Sequence, residues 1–313
     1  MNRRWVLLGC LTLLALPVGA APLAWVSNEK SGSISVIDTA RDRVIGHFTI
    51  GGRPRGLAVD RAGERLYVSD AAGPALRVFD ARDGRALAQA PLSASPEGLQ
   101  LSPDGKLVAL AIEETNSVEL FDAATLVPLA KVPVAGRNPE HLAFSPDGLW
   151  LLVTAEEGEQ VDIIDVAQQR QVDRIAVGKR PRGIAFTPDG RRVFVACELA
   201  DTVYVIDFLD RRVLAALPSG AYTNGIAVSP DGRQVYASNG KAASVTVIDA
   251  LSLRAKETIS VGQRPWNMAI TPDGKKLYVA NGRSNSVSVI DASSQQIQTE
   301  IPVGQLPWGA VIR

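Results

Sequence analysis

Short runs of alternating apolar and polar residues recur along this chain at a fixed spacing. In one copy, Gly183 to Thr187 alternates and Pro188-Asp189-Gly190 then reverses the chain, with Pro fixing φ and Gly accepting the left-handed position. Arg192 to Ala196 follows as a second strand with Val193 and Val195 on one face. Thr202 to Ile206 makes a third, closed by Asp207, and Arg212 to Leu217 a fourth. The pattern predicts four short antiparallel strands joined by turns.

The same unit returns throughout. A hydrophobic-Ile/Phe-Asp signature ends at Asp38, Asp80, Asp122, Asp165, Asp207, Asp249 and Asp291, 42 residues apart in every interval but one, which is 43. The Gly of the Pro-Asp-Gly turn falls at Gly105, Gly148, Gly190, Gly232 and Gly274, with a degenerate version at Gly63. A proline recurs at 54, 96, 139, 181, 265 and 307, and Thr223 stands where one more is due. Three markers agree on seven copies, which predicts an all-β, seven-bladed β-propeller with four antiparallel strands per blade. The middle of each first strand is mostly small (Ala58, Ala143, Ala185, Ala227, Ala269), as blades tapering toward an axis require.

The ends of the chain fit this scheme. Leu23 to Ser27 reads as a second-type strand and Gly309 to Arg313 as a first-type strand, so no blade is whole unless the ends join. Pairing of the C-terminal strand with the N-terminal strands of Leu23 to Ile50 would close the ring and remove exposed sheet edges. The segment before them, 1–20, reads as a secretory signal peptide: Arg3 and Arg4, the apolar stretch Trp5 to Leu16, then Val18-Gly19-Ala20 as a small-residue cleavage site. Residues 21–313 are then one exported domain with no later run long enough to span a bilayer, and the expected compartment is the periplasm.

Composition narrows the chemistry. Loss of Arg3 and Arg4 with the leader leaves 31 basic against 33 acidic residues, a balance with no electrostatic footprint for nucleic acid. Cys10 leaves too, so Cys197 is alone and cannot form an intrachain disulfide. Two distant histidines, His47 and His141, supply no metal set, and no Ser-His-Asp arrangement is evident. The repeated Asp38-type residue reads as a side-chain cap of the turn between third and fourth strands. We expect a monomer without a catalytic centre.

The units Val261-Gly-Gln-Arg-Pro-Trp-Asn-Met-Ala-Ile-Thr-Pro-Asp-Gly-Lys-Lys-Leu-Tyr-Val-Ala-Asn281 and Ser286-Val-Ser-Val-Ile-Asp291 resemble the YVTN-repeat β-propellers, whose Tyr-Val-Thr-Asn run here reads Tyr278-Val279-Ala280-Asn281. The exported single-domain layout is similar to bacterial propeller proteins associated with catabolism dependent on pyrroloquinoline quinone (PQQ). That resemblance implies a periplasmic accessory to alcohol oxidation, with a quinoprotein dehydrogenase or a cytochrome c as partner. The chain lacks the vicinal cysteine pair that marks the dehydrogenases themselves.

In a repeat protein, function is sought where the copies differ. The residue after the proline position varies as Arg55, Glu97, Glu140, Arg182, Asn224, Trp266 and Trp308, which should ring one mouth of the central channel. The next position is glycine in five copies but His141 and Asn267 in the others. Arg53, Arg137, Lys179, Arg180 and Arg264 make the rim basic. Two indoles and two arginines would suit a planar, anionic or mixed-charge ligand such as PQQ. The loops between second and third strands carry Glu113-Glu114, Glu156-Glu157 and Glu198 on three consecutive blades, an acidic sector expected to dock a basic partner. Two alternatives remain: a hydrolase or isomerase using Glu97, Glu140 and His141, and a non-covalent tetrapyrrole carrier with His141 as axial ligand.

Overall fold

A computed structural model describes residues 22–313, all built from seven four-stranded antiparallel sheets. The expected leader lies outside the described residues. The blades are numbered I to VII, and strands within each from the axis outward. Blade V is Pro181–Phe186, Arg192–Cys197, Thr202–Asp207 and Arg212–Pro218. Blades II, III, IV, VI and VII begin at Pro54, Pro96, Pro139, Thr223 and Pro265. The only helical pieces among the described residues are single 3₁₀ turns, Glu113–Thr115 and Glu198–Ala200.

Blade I is made from both ends of the chain. Its first strand is Pro307–Ile312, and Leu23–Asn28, Ser33–Asp38 and Arg43–Thr49 complete it. Ala24 faces Ile312 and Ser27 faces Gly309, and the Leu23 and Arg313 amides donate to each other's carbonyls at 2.7 and 2.9 Å. The ring therefore closes by main-chain hydrogen bonds within blade I, and every second strand is paired on both sides.

Second and third strands are covered on both faces, because each sheet packs between two others. Alternation is lost there: Leu151, Leu152 and Val153 are all fully buried, as are Val193, Phe194 and Val195. Fourth strands face solvent, with alternating exposure in Arg43–Thr49 and nearly continuous exposure in Arg254–Ser260. The apolar layers lie between blades, so Leu76 and Val78 of blade II pack with Leu110 and Ile112 of blade III. Each such side chain contributes roughly 1.5–3 kcal/mol of transfer free energy. Aromatic side chains in the second strands tie neighbours together by polar contacts: Trp25 Nε1 donates to Ala81 O at 2.9 Å and Tyr67 Oη to Ala123 O at 2.8 Å. The turn aspartates cap as expected, Asp122 Oδ1 accepting from the amides of Ala124 and Thr125.

Space is shortest at the axis. A Cβ on Gly183 or Gly225 would lie 2.5 or 2.4 Å from a main-chain oxygen of the next blade, which no side chain tolerates. The first strands therefore approach one another backbone to backbone.

This closure makes the last strand a structural requirement. Deleting residues 307–313 should expose the edge of Leu23–Asn28 and lower the melting temperature by about 10 °C or more, read by circular dichroism. An unchanged melting curve would contradict the closure.

Candidate functional site

A bulge at the same place in every first strand positions the variable residues. Pro181 pairs with Cys197, and the ladder resumes at Ile184 opposite Val195, so blade V has one residue too many between them. The same shift follows Pro54, Pro96, Pro139, Thr223 and Pro265, and a corresponding one falls beside Trp308. Such a bulge bends the strand and re-aims its unpaired side chain, here into the channel mouth. Second-strand hydroxyls hold the bulge in place. The amides of Gly56, His141 and Gly225 donate to Ser69, Thr154 and Ser238 Oγ at 2.8, 3.0 and 2.8 Å. Ser69 Oγ in turn donates to Glu97 O of the next blade at 3.0 Å.

All seven ring positions read from the repeat, and His141, line a single cavity of about 350 Å³. Its walls differ. Blades II to V supply most of the charge, joined by Glu29 of blade I and by Arg264 at the entry to blade VII. Arg55 Nε meets Glu29 at 3.1 Å, and its Nη1 meets Glu97. Arg53 Nη2 reaches Glu29 at 2.5 Å. Arg182, with a side chain 18% exposed, contacts Glu140 at 2.6 Å, Glu156 at 2.5 Å and Glu198 at 2.8 Å. Arg180 lies 3.2 Å from both Glu156 and Glu198, and Arg264 lies 3.0 Å from Glu198.

The protonation of this cluster follows from burial and crowding. Burial, and then the neighbouring Glu140 charge, push the Glu156 carboxyl up to about 7. Burial and Glu140 also raise Glu113. Burial alone would lower Arg182, but the three surrounding carboxylates outweigh it and hold the guanidinium charged.

Blades VII and I supply the aromatic wall, Trp266 and Trp308. Trp266 is seated over Gly282, where a Cβ would come within 2.9 Å of the ring. His141 reaches across the channel from blade IV and stacks on Trp308, with centroids 5.4 Å apart and planes 4° from parallel. His141, Asn267 and Trp308 line both the mouth cavity and a second cavity of about 470 Å³ along the axis below it. They form a partition between the two. Burial lowers the His141 pKa, so the imidazole is neutral at neutral pH. Both of its ring nitrogens are enclosed by protein and neither has a hydrogen-bond partner. That enclosure leaves no open nitrogen for an axial bond to a tetrapyrrole iron.

The acidic sector is corrected by the structure. Glu156 and Glu198 are 8% and 1% exposed and are paired to Arg180, Arg182 and Arg264, which takes them off the surface; each directly follows a second strand, Glu198 as the first residue of a 3₁₀ turn. Glu113 is half-buried and lines the cavity. Only Glu114 and Glu157 remain exposed. Similarly, the expected arginines are already engaged by carboxylates. Glu29, 5% exposed, was not singled out by the ring position, yet its signal is present: Glu29, Glu113, Glu156 and Glu198 all directly follow a second strand. Cys197 is fully buried, and burial pushes its thiol up to about 12, which makes it inert. Among the described residues no group of three or more His, Cys, Asp or Glu is placed to hold a metal ion. None of their helices is long and apolar enough to cross a membrane.

Known proteins share the architecture. The profile of the family described as Lactonase, 7-bladed beta-propeller matches residues 168–300, which is blades V to VII and the end of blade IV. Among solved structures, Kuenenia stuttgartiensis hydrazine synthase is 24% identical with a TM-score of 0.79, covering 86% of this chain and 92% of that one. A functionally unknown protein from Desulfotomaculum acetoxidans is 18% identical with a TM-score of 0.81, covering 93% of this chain and 98% of that one. No curated protein matches. The chain is a seven-bladed β-propeller. At these identities the likenesses speak for the fold alone.

Two outcomes follow from the ion cluster. Arg182→Met would leave three buried carboxylates short of their common partner and should cost about 3–5 kcal/mol in urea denaturation, and Arg182→Lys should recover only part because one ammonium cannot serve three sites. The raised pKa of Glu156 means the folded protein holds a proton that the unfolded chain gives up between about pH 4.5 and about pH 7. Its contribution is therefore full below pH 4.5, falls as pH rises through that window and is level above it. Glu156→Gln should remove this slope, so the stability difference between wild type and variant declines with pH by at most about 1.4 kcal/mol per unit.

Proposed function

We propose that this chain is an exported, non-catalytic binding propeller that takes a small organic molecule in the mouth cavity. One observation carries the reading. Asn224, 2% exposed, lines this cavity, and its Nδ2 donor is one of six buried side-chain polar atoms among the described residues without a hydrogen-bond partner. Buried side-chain polar groups elsewhere among the described residues are satisfied almost without exception, so this unmet donor marks a place built for a partner. The two indoles supply apolar surface beside it.

Export to the periplasm rests on the leader. An accessory role beside a quinoprotein dehydrogenase or a cytochrome c rests on the YVTN resemblance, and Glu114 and Glu157 are the acidic groups left to meet such a partner. PQQ is a less suitable occupant than the sequence suggested. Its carboxylates would have to compete with Glu29, Glu97, Glu140, Glu156 and Glu198 for guanidiniums already paired.

A hydrolytic reading is favoured by two observations: the lactonase-family match over residues 168–300, and a Glu156 carboxyl poised near neutrality beside Arg182. Such a carboxylate could act as general base for water attack on a cyclic ester, with Arg182 facing the oxyanion.

One pair of experiments separates the readings. Ligand-observed NMR with a fragment collection should return hits that Asn224→Leu and Trp266→Ala each weaken by about tenfold or more. Hits bound equally by both variants, or no hits, would remove the mouth as a binding site. Hydrolysis of γ-butyrolactone or glucono-δ-lactone, lost about 100-fold or more in Glu156→Gln, would replace the binding reading by the enzymatic one.

A further inference from the structure

We propose that the mouth cavity selects an organic cation, a small amine carrying an aromatic or apolar group and a hydrogen-bond acceptor. The inference deepens the binding reading above and rests on it. It starts from a count of charges. Five carboxylates, of Glu29, Glu97, Glu113, Glu140 and Glu156, line the mouth with five guanidiniums, of Arg53, Arg55, Arg180, Arg182 and Arg264, and a sixth carboxylate, Glu198, lies behind them paired to three of these arginines. The only other titratable group at the site, His141, is neutral. With Glu156 ionised the site is one positive charge short, and at neutral pH the proton that Glu156 holds part of the time makes up some of the difference.

The shortfall has a location. Every one of the five arginines contacts at least one carboxylate, so none is left for an anion. Glu113 is the one carboxylate of the six that forms no ion pair among the described residues, although it lines the cavity. Arg55 and Arg182, the nearest cations by their influence on it, are engaged elsewhere. An anion entering the cavity would meet this charge without a free donor to offset it. A cation would complete the balance.

Other features of the cavity specify the rest of the molecule. Asn224, 2% exposed, lines the cavity with an Nδ2 donor that has no partner, which calls for an acceptor on the ligand. Trp266 and Trp308 form the wall opposite the charges, and an indole face attracts both a cation and a planar ring. A cavity of about 350 Å³ suits a molecule of one ring with a short side chain. Bound positive charge would also favour the ionised forms of Glu113 and Glu156, so binding at slightly acid pH should release protons.

Three probes of matched size and a shared 4-hydroxyphenyl ring test this by titration calorimetry: tyramine, a cation; tyrosol, neutral; and 4-hydroxyphenylacetate, an anion. Tyramine should bind about tenfold or more tighter than tyrosol, with the anion weakest, and only tyramine should show proton release when buffers of different ionisation enthalpy are compared. Glu113→Gln, checked for an unchanged melting curve, should bring tyramine down to the affinity of tyrosol. Glu257→Gln, on the exposed outer strand of blade VI, should leave all three unchanged. If tyrosol or 4-hydroxyphenylacetate binds as tightly as tyramine, or if Glu113→Gln leaves the tyramine preference intact, the cation inference falls while the binding site stands. If none of the three binds, the cation inference falls, and the fate of the site is decided by the fragment screen alone.

Discussion

Crowding at the axis is the constraint on which the rest depends. Seven sheets that converge on one line bring their first strands within backbone contact, so that a single added carbon on Gly183 or Gly225 would collide with the next blade. At the tightest part of the ring, a side chain finds room where the strand departs from regular pairing. The bulge after each proline provides that departure, and it does so at the mouth, where the blades have begun to separate. One geometric device thus yields both the packed ring and the ring of variable side chains.

The contents of that ring are electrostatically committed. Taking Glu29, Glu97, Glu140, Glu156 and Glu198 below a tenth exposure costs several kcal/mol for each ion in desolvation. Only dense mutual pairing offsets it, and Arg182 between three carboxylates is the centre of that pairing. Such clusters add little net stability compared with apolar packing. They do fix orientation, because a guanidinium shared by three acceptors has one acceptable position. The charged wall is therefore rigid, with Glu113 as the one cavity-lining carboxylate outside the pairing and Asn224 Nδ2 as an unmet donor beside it.

The partition formed by His141, Asn267 and Trp308 sets the depth of the site. Two cavities share the axis, and the stacked imidazole and indole divide a charged chamber above from one lined by first-strand residues such as Ala58, Leu101 and Ile270 below. A ligand at the mouth would rest on this floor with charge on one side and indole on the other. That asymmetry, more than any single residue, distinguishes the site from a water-filled propeller channel.

The sequence by itself determined the repeat, the seven blades, the order of strands and the closure through the chain ends. Those features are carried by local chemistry repeated seven times: alternation, Pro-Asp-Gly turns and aspartate caps such as Asp122, each readable within a few residues. It also placed Arg55, Glu97, Glu140, Arg182, Asn224, Trp266 and Trp308 on one ring, since the period alone makes equivalent positions neighbours in space. What it left open was how those side chains spend their charge. Glu156 and Glu198 look like surface acids in sequence, and Arg55 and Arg182 like free anion donors; only the tertiary structure turned them toward one another. The physical reason is that ion pairing and burial depend on ångström-scale distances between residues of different blades, Arg182 and Glu140 lying 42 positions apart yet 2.6 Å in contact. The His141–Trp308 stack across the channel belongs to the same class. A period predicts which positions share a ring, but only packing decides which of them meet across it.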